Sequence, residues 1–172
     1  MFCSILISNF NKSRYIERCL NSLISQSYQN FEIIFSDNGS TDDSLKIVSK
    51  FNRIKVLKTP RYTNSPALNQ IDVLNNAFTK SKGEYIFLLD ADDFYEIDKI
   101  EKIINQQKKK QLEFICDVPR IYFNDIKSKS FNIKNLYSSL RSWPIIFPTS
   151  TISFKRSFFL NFNKFLLKDE YD

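Results

Sequence analysis

Short apolar runs alternate with segments of helical spacing along most of this chain, and the fourth run opens into four residues of which three are aspartate. Phe2 to Ser8, Phe31 to Ser36, Ile54 to Leu57 and Glu84 to Leu89 lack helical periodicity and are short, which suits buried strands. Between them, Ile16, Cys19, Leu20, Leu23 and Ile24 fall on one helical face, with Ser13 placed as a cap. Ser40 to Phe51 is expected to be a second helix, opened by Ser40 and Asp43 at capping-box spacing. A third runs from Ala67 to Lys80 and should stop before Gly83. A fourth, Asp98 to Lys109, carries Ile100, Ile103 and Ile104 on one face, with Asp98 as its cap. Glu113 to Asp117 and Arg120 to Phe123 read as further strands; Ile126 to Ser142 has no clear pattern. This order predicts an α/β fold with a mostly parallel central sheet and helices on both faces.

Such sheets bind ligands beyond the carboxyl ends of their strands. Chain order therefore predicts that Ser8-Asn9-Phe10-Asn11, Asp37-Asn38 and Asp90-Ala91-Asp92-Asp93 share one edge. While the backbone stays extended, Asp90 and Asp92 project to one face. Two carboxylates about 4 Å apart repel by roughly 4 kcal/mol at an effective dielectric near 20. A divalent cation relieves that repulsion, and hard oxygen ligands favour Mg²⁺ or Mn²⁺. Asp93 fits either this site or a capping role.

Composition narrows the chemistry. The chain has no histidine, so a general base must be a carboxylate or, less suitably, Lys, Tyr or Cys. A net charge of +6 suits an anionic substrate, an anionic membrane surface or nucleic acid. The basic residues are scattered, which places nucleic acid last, and Lys108-Lys109-Lys110 reads as a solvated helix end. Cys3, Cys19 and Cys116 sit in apolar patterns and are expected as buried, reduced thiols. No apolar run approaches the roughly 20 residues that span a bilayer. Met1-Phe2-Cys3-Ser4-Ile5 lacks a basic leader, so a cytoplasmic location is expected, with peripheral contact at the inner membrane face compatible with the charge.

Four segments carry a family resemblance. Ser4-Ile5-Leu6-Ile7-Ser8-Asn9-Phe10-Asn11-Lys12-Ser13 resembles the opening strand and loop of the family 2 glycosyltransferases. Gln26-Ser27-Tyr28-Gln29-Asn30-Phe31-Glu32-Ile33-Ile34 is similar to their helix-to-strand link. Asp37-Asn38-Gly39-Ser40-Thr41-Asp42 is close to their DDGSTD turn, and Gly83 to Asp93 is similar to their strand and DXD motif. The resemblance implies a GT-A-like, Rossmann-like fold and an inverting transfer that depends on Mn²⁺ or Mg²⁺. The donor would be a nucleotide sugar, UDP- or dTDP-linked, and the acceptor a hydroxyl of a glycan or lipid-linked glycan. It places Ser8 and Phe10 beside the base and ribose, Asp37 and Asn38 at the base edge, Asp90 at the ribose and Asp92 on the metal. Arg61 is a candidate phosphate contact, weighed against simple surface charge. Asn38 stands where the family more usually has aspartate. Its oxygen can still accept N3–H of uracil or thymine, with uracil preferred, but without the strength of a charged acceptor.

Farther on, Pro148 to Arg156 and Phe158-Phe159-Leu160 resemble the acceptor-side segment. Lys168-Asp169-Glu170-Tyr171-Asp172 resembles the motif holding the catalytic base, with Glu170 in that role and Asp169 before it. One domain, 1–172, is expected: 1–110 as the nucleotide-sugar-binding half and 111–172 as the acceptor-side half, incomplete at its end. A catalytically inactive or truncated nucleotide-sugar-binding module is the alternative. A haloacid-dehalogenase-type phosphatase would need a nucleophilic aspartate on the first strand, which has none. A nucleotidyltransferase would need a glycine-rich loop, and the chain has two glycines in all.

Overall fold

The computed structural model describes residues 1–120, 122–123, 126–127 and 148–166. In chain order its elements are β1 (Cys3–Asn9), α1 (Ser13–Ile24), β2 (Phe31–Asp37), α2 (Ser44–Val48), β3 (Ile54–Lys58), α3 (Pro66–Lys80), β4 (Tyr85–Asp90) and α4 (Lys99–Lys110). There follow β5 (Phe114–Cys116), β6 (Tyr122–Phe123), β7 (Ile126–Lys127), a 3₁₀ turn (Thr149–Thr151), β8 (Ile152–Lys155) and α5 (Arg156–Leu166). The main sheet runs β3-β2-β1-β4-β8-β5. Its first four strands are mutually parallel, whereas β8 is antiparallel to both β4 and β5. β6 and β7 form a separate two-stranded ribbon.

Why β1, β2 and β4 are mostly apolar follows from their position: helices cover both faces. Ile5, Ile7, Phe35, Phe87 and Leu89 pack with Ile16, Leu20, Leu23, Val48, Ile100 and Ile104 on the side of α1, α2 and α4. The alternate residues Leu6, Ile34 and Ile86 pack with Ala77 and Phe78 of α3 and Phe154 of β8 on the other. Phe159 of α5 closes that second layer, its ring 4.7 Å from that of Phe78. Cys3 and Cys19 are buried and Cys116 partly so, all as free thiols. Burial pushes the Cys3 thiol up to about 12 and Cys19 higher still, which keeps both unreactive. No helix among the described residues is long and apolar enough to cross a membrane.

Three local expectations need correction. Ser13 does not cap α1; Lys12 stands at the N-cap, and the Ser13 N–H donates to the Asp42 carboxylate at 2.9 Å. The second helix begins at Ser44, not Ser40, because the preceding loop is held elsewhere. Gly39 turns at φ +76°, and Ser40 Oγ accepts from Asn11 N and Asn9 Nδ2 at 2.9 and 3.0 Å. Asp98 occupies the N-cap of α4, yet its carboxylate pairs with Lys102 at 2.6 Å and makes no capping bond. The third helix ends at Lys80, before Gly83 as expected; Ser81 is its C-cap, and Gly83 serves a close approach of strands. A Cβ there would lie 2.4 Å from the Ser4 backbone nitrogen, so only glycine lets β4 enter against β1.

Candidate functional site

The parallel register brings the strand ends together, with Asn9 opposite Asp37 and Ser8 opposite Asp90. The three segments expected at one edge are there. Each candidate on this edge is held by specific partners. Asp37 is buried; its carboxylate accepts from Asn9 Nδ2 at 2.7 Å and from the Ser40 N–H at 2.9 Å. Asn38 is also buried, and its Nδ2 donates to the carbonyls of Thr59 and Pro60 at 3.2 and 3.4 Å. That fixes the amide and leaves Oδ1 as the side chain's acceptor.

Asp90 accepts from Ser8 Oγ and from Gln70 Nε2, each at 2.7 Å. Burial pushes its carboxyl above the ordinary range; the Ser8 hydroxyl opposes the shift, and Asp93 and Asp92 add to it. Beyond Asp90 the backbone no longer extends. Ala91 N donates to Ser8 O at 3.0 Å and Asp93 N to Asp90 O at 2.9 Å, closing a turn. Asp90 and Asp92 therefore do not share one extended face, as their spacing predicts. Instead the three carboxylates have separate partners. Asp92 faces the Lys12 ammonium at 2.5 Å, both side chains well exposed. Asp93 accepts from Ser150 Oγ at 2.5 Å, which ties the 3₁₀ turn to the end of β4, while Asp98 stands at the N-cap of α4.

Phe10 is 38% exposed, and the Arg61 guanidinium lies 4.2 Å above its ring centre, a cation–π contact. Arg61 is held over Phe10 at the edge by this contact. With Tyr62, Thr63 and Asn64 it borders an open depression of about 400 Å³. Glu170 and Asp169 lie outside the described residues.

Several residues at this edge escape sequence reasoning. Gln70 also reaches Ser8 Oγ and Thr149 Oγ1, both at 3.3 Å. Ser150 Oγ accepts from Asp90 N at 3.0 Å, and Lys99 joins the Ser150 carbonyl (2.7 Å) to Asp117 (2.9 Å). Thr149 and Ser150 fall in a segment marked by the resemblance, and Lys12 in the marked first loop. Gln70 carries no such signal.

No group of three His, Cys, Asp or Glu side chains among the described residues is placed to hold a metal. The donor set still fits a cation shared with a ligand. Asp90 and Asp93 are engaged by neutral groups within the fold, whereas Asp92 is a hard carboxylate paired with the exposed Lys12 ammonium and itself partly exposed. One carboxylate with substrate phosphates and water is how octahedral Mg²⁺-like ions are commonly bound.

The sheet order and its acidic carboxyl edge define a GT-A-type fold. TarS of S. aureus, crystallised with UDP, matches with a TM-score of 0.72 over 95% of this chain and 49% of that one, at 20% identity. The mannosyltransferase PcManGT of Pyrobaculum calidifontis, in complex with GDP-Man and Mn²⁺, matches with a TM-score of 0.66 over 93% of this chain and 46% of its own, at 18% identity. The chain belongs to glycosyl transferase family 2, whose model matches residues 4–167. A relative in Escherichia coli is WfaP, a UDP-Glc:α-D-GlcNAc-diphosphoundecaprenol β-1,3-glucosyltransferase. It is 32% identical over 136 residues, covering 79% of this chain and 51% of WfaP. The chain spans about half the length, or less, of the curated relatives it matches.

Proposed function

We propose that this chain binds a nucleotide sugar and is the catalytic part of an inverting glycosyltransferase whose acceptor is a hydroxyl of a glycan or lipid-linked glycan. One observation carries the reading: Ser8, Asp37, Asn38 and Asp90 converge at the carboxyl edge of β1, β2 and β4, with Asp92 facing outward beside them. In this reading residues 1–110 form the donor half and 111–172 the acceptor half. The relatives' own ligands support the class: TarS with UDP-GlcNAc, PcManGT with GDP-Man and Mn²⁺, and UDP-Glc in the name of WfaP.

The settings of the described residues support the roles that the family resemblance implies. Asn38 Oδ1 accepts N3–H of a uracil or thymine, since its nitrogen is committed to two carbonyls. Phe10 offers the base a stacking face. A base on the face that Arg61 covers would displace the guanidinium toward the diphosphate. Ser8 and Asp90, already joined, meet the ribose. Asp92 holds the divalent ion, which when bound supplies positive charge to the leaving diphosphate. Glu170, preceded by Asp169, removes the acceptor hydroxyl's proton. The hydroxyl oxygen then bonds to the anomeric carbon as the bond to the diphosphate breaks on the opposite face. Such a base works best with a pKa near the working pH. The charge of +6 suits peripheral contact with an anionic inner membrane surface.

Calorimetric titration with UDP, with and without Mn²⁺, tests this on the natural chain and on Asp92→Ala. Binding should require Mn²⁺. Losing a metal's outer-shell partner costs about tenfold or more in affinity, so losing the ligand itself should cost at least that. Failure of both UDP and dTDP to bind would refute the reading.

A further inference from the structure

Lys12 reaches across the site in a way the donor-binding roles leave unexplained. Its backbone is fixed at the N-cap of α1, where its carbonyl accepts the Tyr15 and Ile16 N–H groups at 2.8 and 3.3 Å. Its ammonium lies 2.5 Å from Asp92 Oδ2, and the two side chains are 40% and 37% exposed. Exposed ion pairs stabilise a fold little and break readily, so a purely structural pin is a poor explanation. The choice of partner is informative. Asp90 is held by Ser8 and Gln70, and Asp93 by Ser150, all neutral groups. Among the described residues, Asp92 alone of the three carboxylates has a cation at bonding distance, and its side chain is 37% exposed.

We propose that Lys12 is an exchangeable counter-ion. It neutralises Asp92 while no donor is bound, yields Asp92 to the divalent cation as the nucleoside diphosphate arrives, and then pairs with the diphosphate. This rests on the donor-site reading above. A divalent ion held by Asp92 would lie close to the Lys12 ammonium now paired with Asp92 Oδ2, and the two cations would repel. The released ammonium has three donors on a flexible four-carbon stem and remains beside the phosphates that the cation would bind. The metal alone must displace Lys12 and gains nothing in return. The metal with nucleotide displaces it toward a new anionic partner. Lys12 therefore couples the two binding events, so that cation and nucleotide favour each other.

The test needs two titrations, each on the natural chain, Lys12→Ala and Lys12→Arg. Free Mn²⁺ is followed by electron paramagnetic resonance without nucleotide, and UDP or dTDP by calorimetry in saturating Mn²⁺. Lys12→Ala should bind Mn²⁺ alone about fivefold more tightly, the scale of one exposed ion pair removed. It should bind nucleotide with Mn²⁺ about tenfold more weakly, the scale of one charge-assisted hydrogen bond. Lys12→Arg should recover most of the second loss. Unchanged or weaker Mn²⁺ affinity in Lys12→Ala overturns the exchange, and so does unchanged nucleotide affinity. A natural chain that binds neither nucleotide overturns the donor site itself, a result distinguishable from the other two. Matching thermal unfolding of the variants checks that all are folded.

Discussion

At the scale of single residues, Asn38 shows how a departure from the family's usual residue is built into its surroundings. Its amide nitrogen donates to the Thr59 and Pro60 carbonyls. An aspartate there would set a buried charge against two carbonyl oxygens with no proton to offer them. Asn38→Asp should therefore lower stability at neutral pH by about 1–3 kcal/mol, the cost of leaving buried polar groups unpaired. Urea unfolding measures this, and an unchanged midpoint would contradict it. Asn38, Ser8 and Asp90 were legible in the sequence because they end apolar runs, and strand ends in a parallel sheet converge. Gln70 and Lys12 were not. Their partners lie 20 and 80 residues away, and nothing in a helical glutamine or a loop lysine announces such a contact.

Among the elements, the starts of α1 and α2 share one carboxylate. Asp42 accepts the Ser13 N–H at 2.9 Å and the Ser44 N–H at 3.0 Å, each from the first residue of a helix. Burial pushes this carboxyl up, but the Ser44 hydroxyl and the two N–H groups outweigh it and hold it at about 2. Because the folded value lies below the ordinary carboxylate value of about 3.9, the ionised group favours the fold above that pH. The contribution is lost as pH falls toward 2. Asp42→Ala should cost about 1 kcal/mol at neutral pH, as for a lost helix cap. Its stability should also fall less steeply than the natural chain's between pH 4 and 2.5. Parallel stability curves in that window would contradict the clasp. The same contacts explain why the sequence overextended α2. Ser40 and Asp43 have capping-box spacing, but Ser40 bonds back to the first loop, through residues some 30 positions away. The buried strands were read well because helices on both faces leave them mostly apolar, with few polar positions to confuse the pattern.

Over the whole molecule, the parallel half was visible in strand–helix alternation, whereas the return of the chain was not. β8 runs antiparallel beside β4, and that places the turn before it, Thr149–Thr151, against Asp90 and Asp93. A four-residue strand after a proline carries no sign of its direction or neighbour, which tertiary packing alone decides. The fold thus lays two distant segments, the first loop and the turn before β8, on either side of one acidic bend. Crystals soaked with Mn²⁺ and UDP, or dTDP, test this arrangement most directly through an anomalous-difference map. The expected result is a manganese peak within bonding distance of the Asp92 carboxylate, about 2.1 Å for a Mg²⁺-like ion, with the base beside Asn38. A peak away from Asp92, or a nucleotide bound anywhere but the carboxyl edge of β1, β2 and β4, would contradict it.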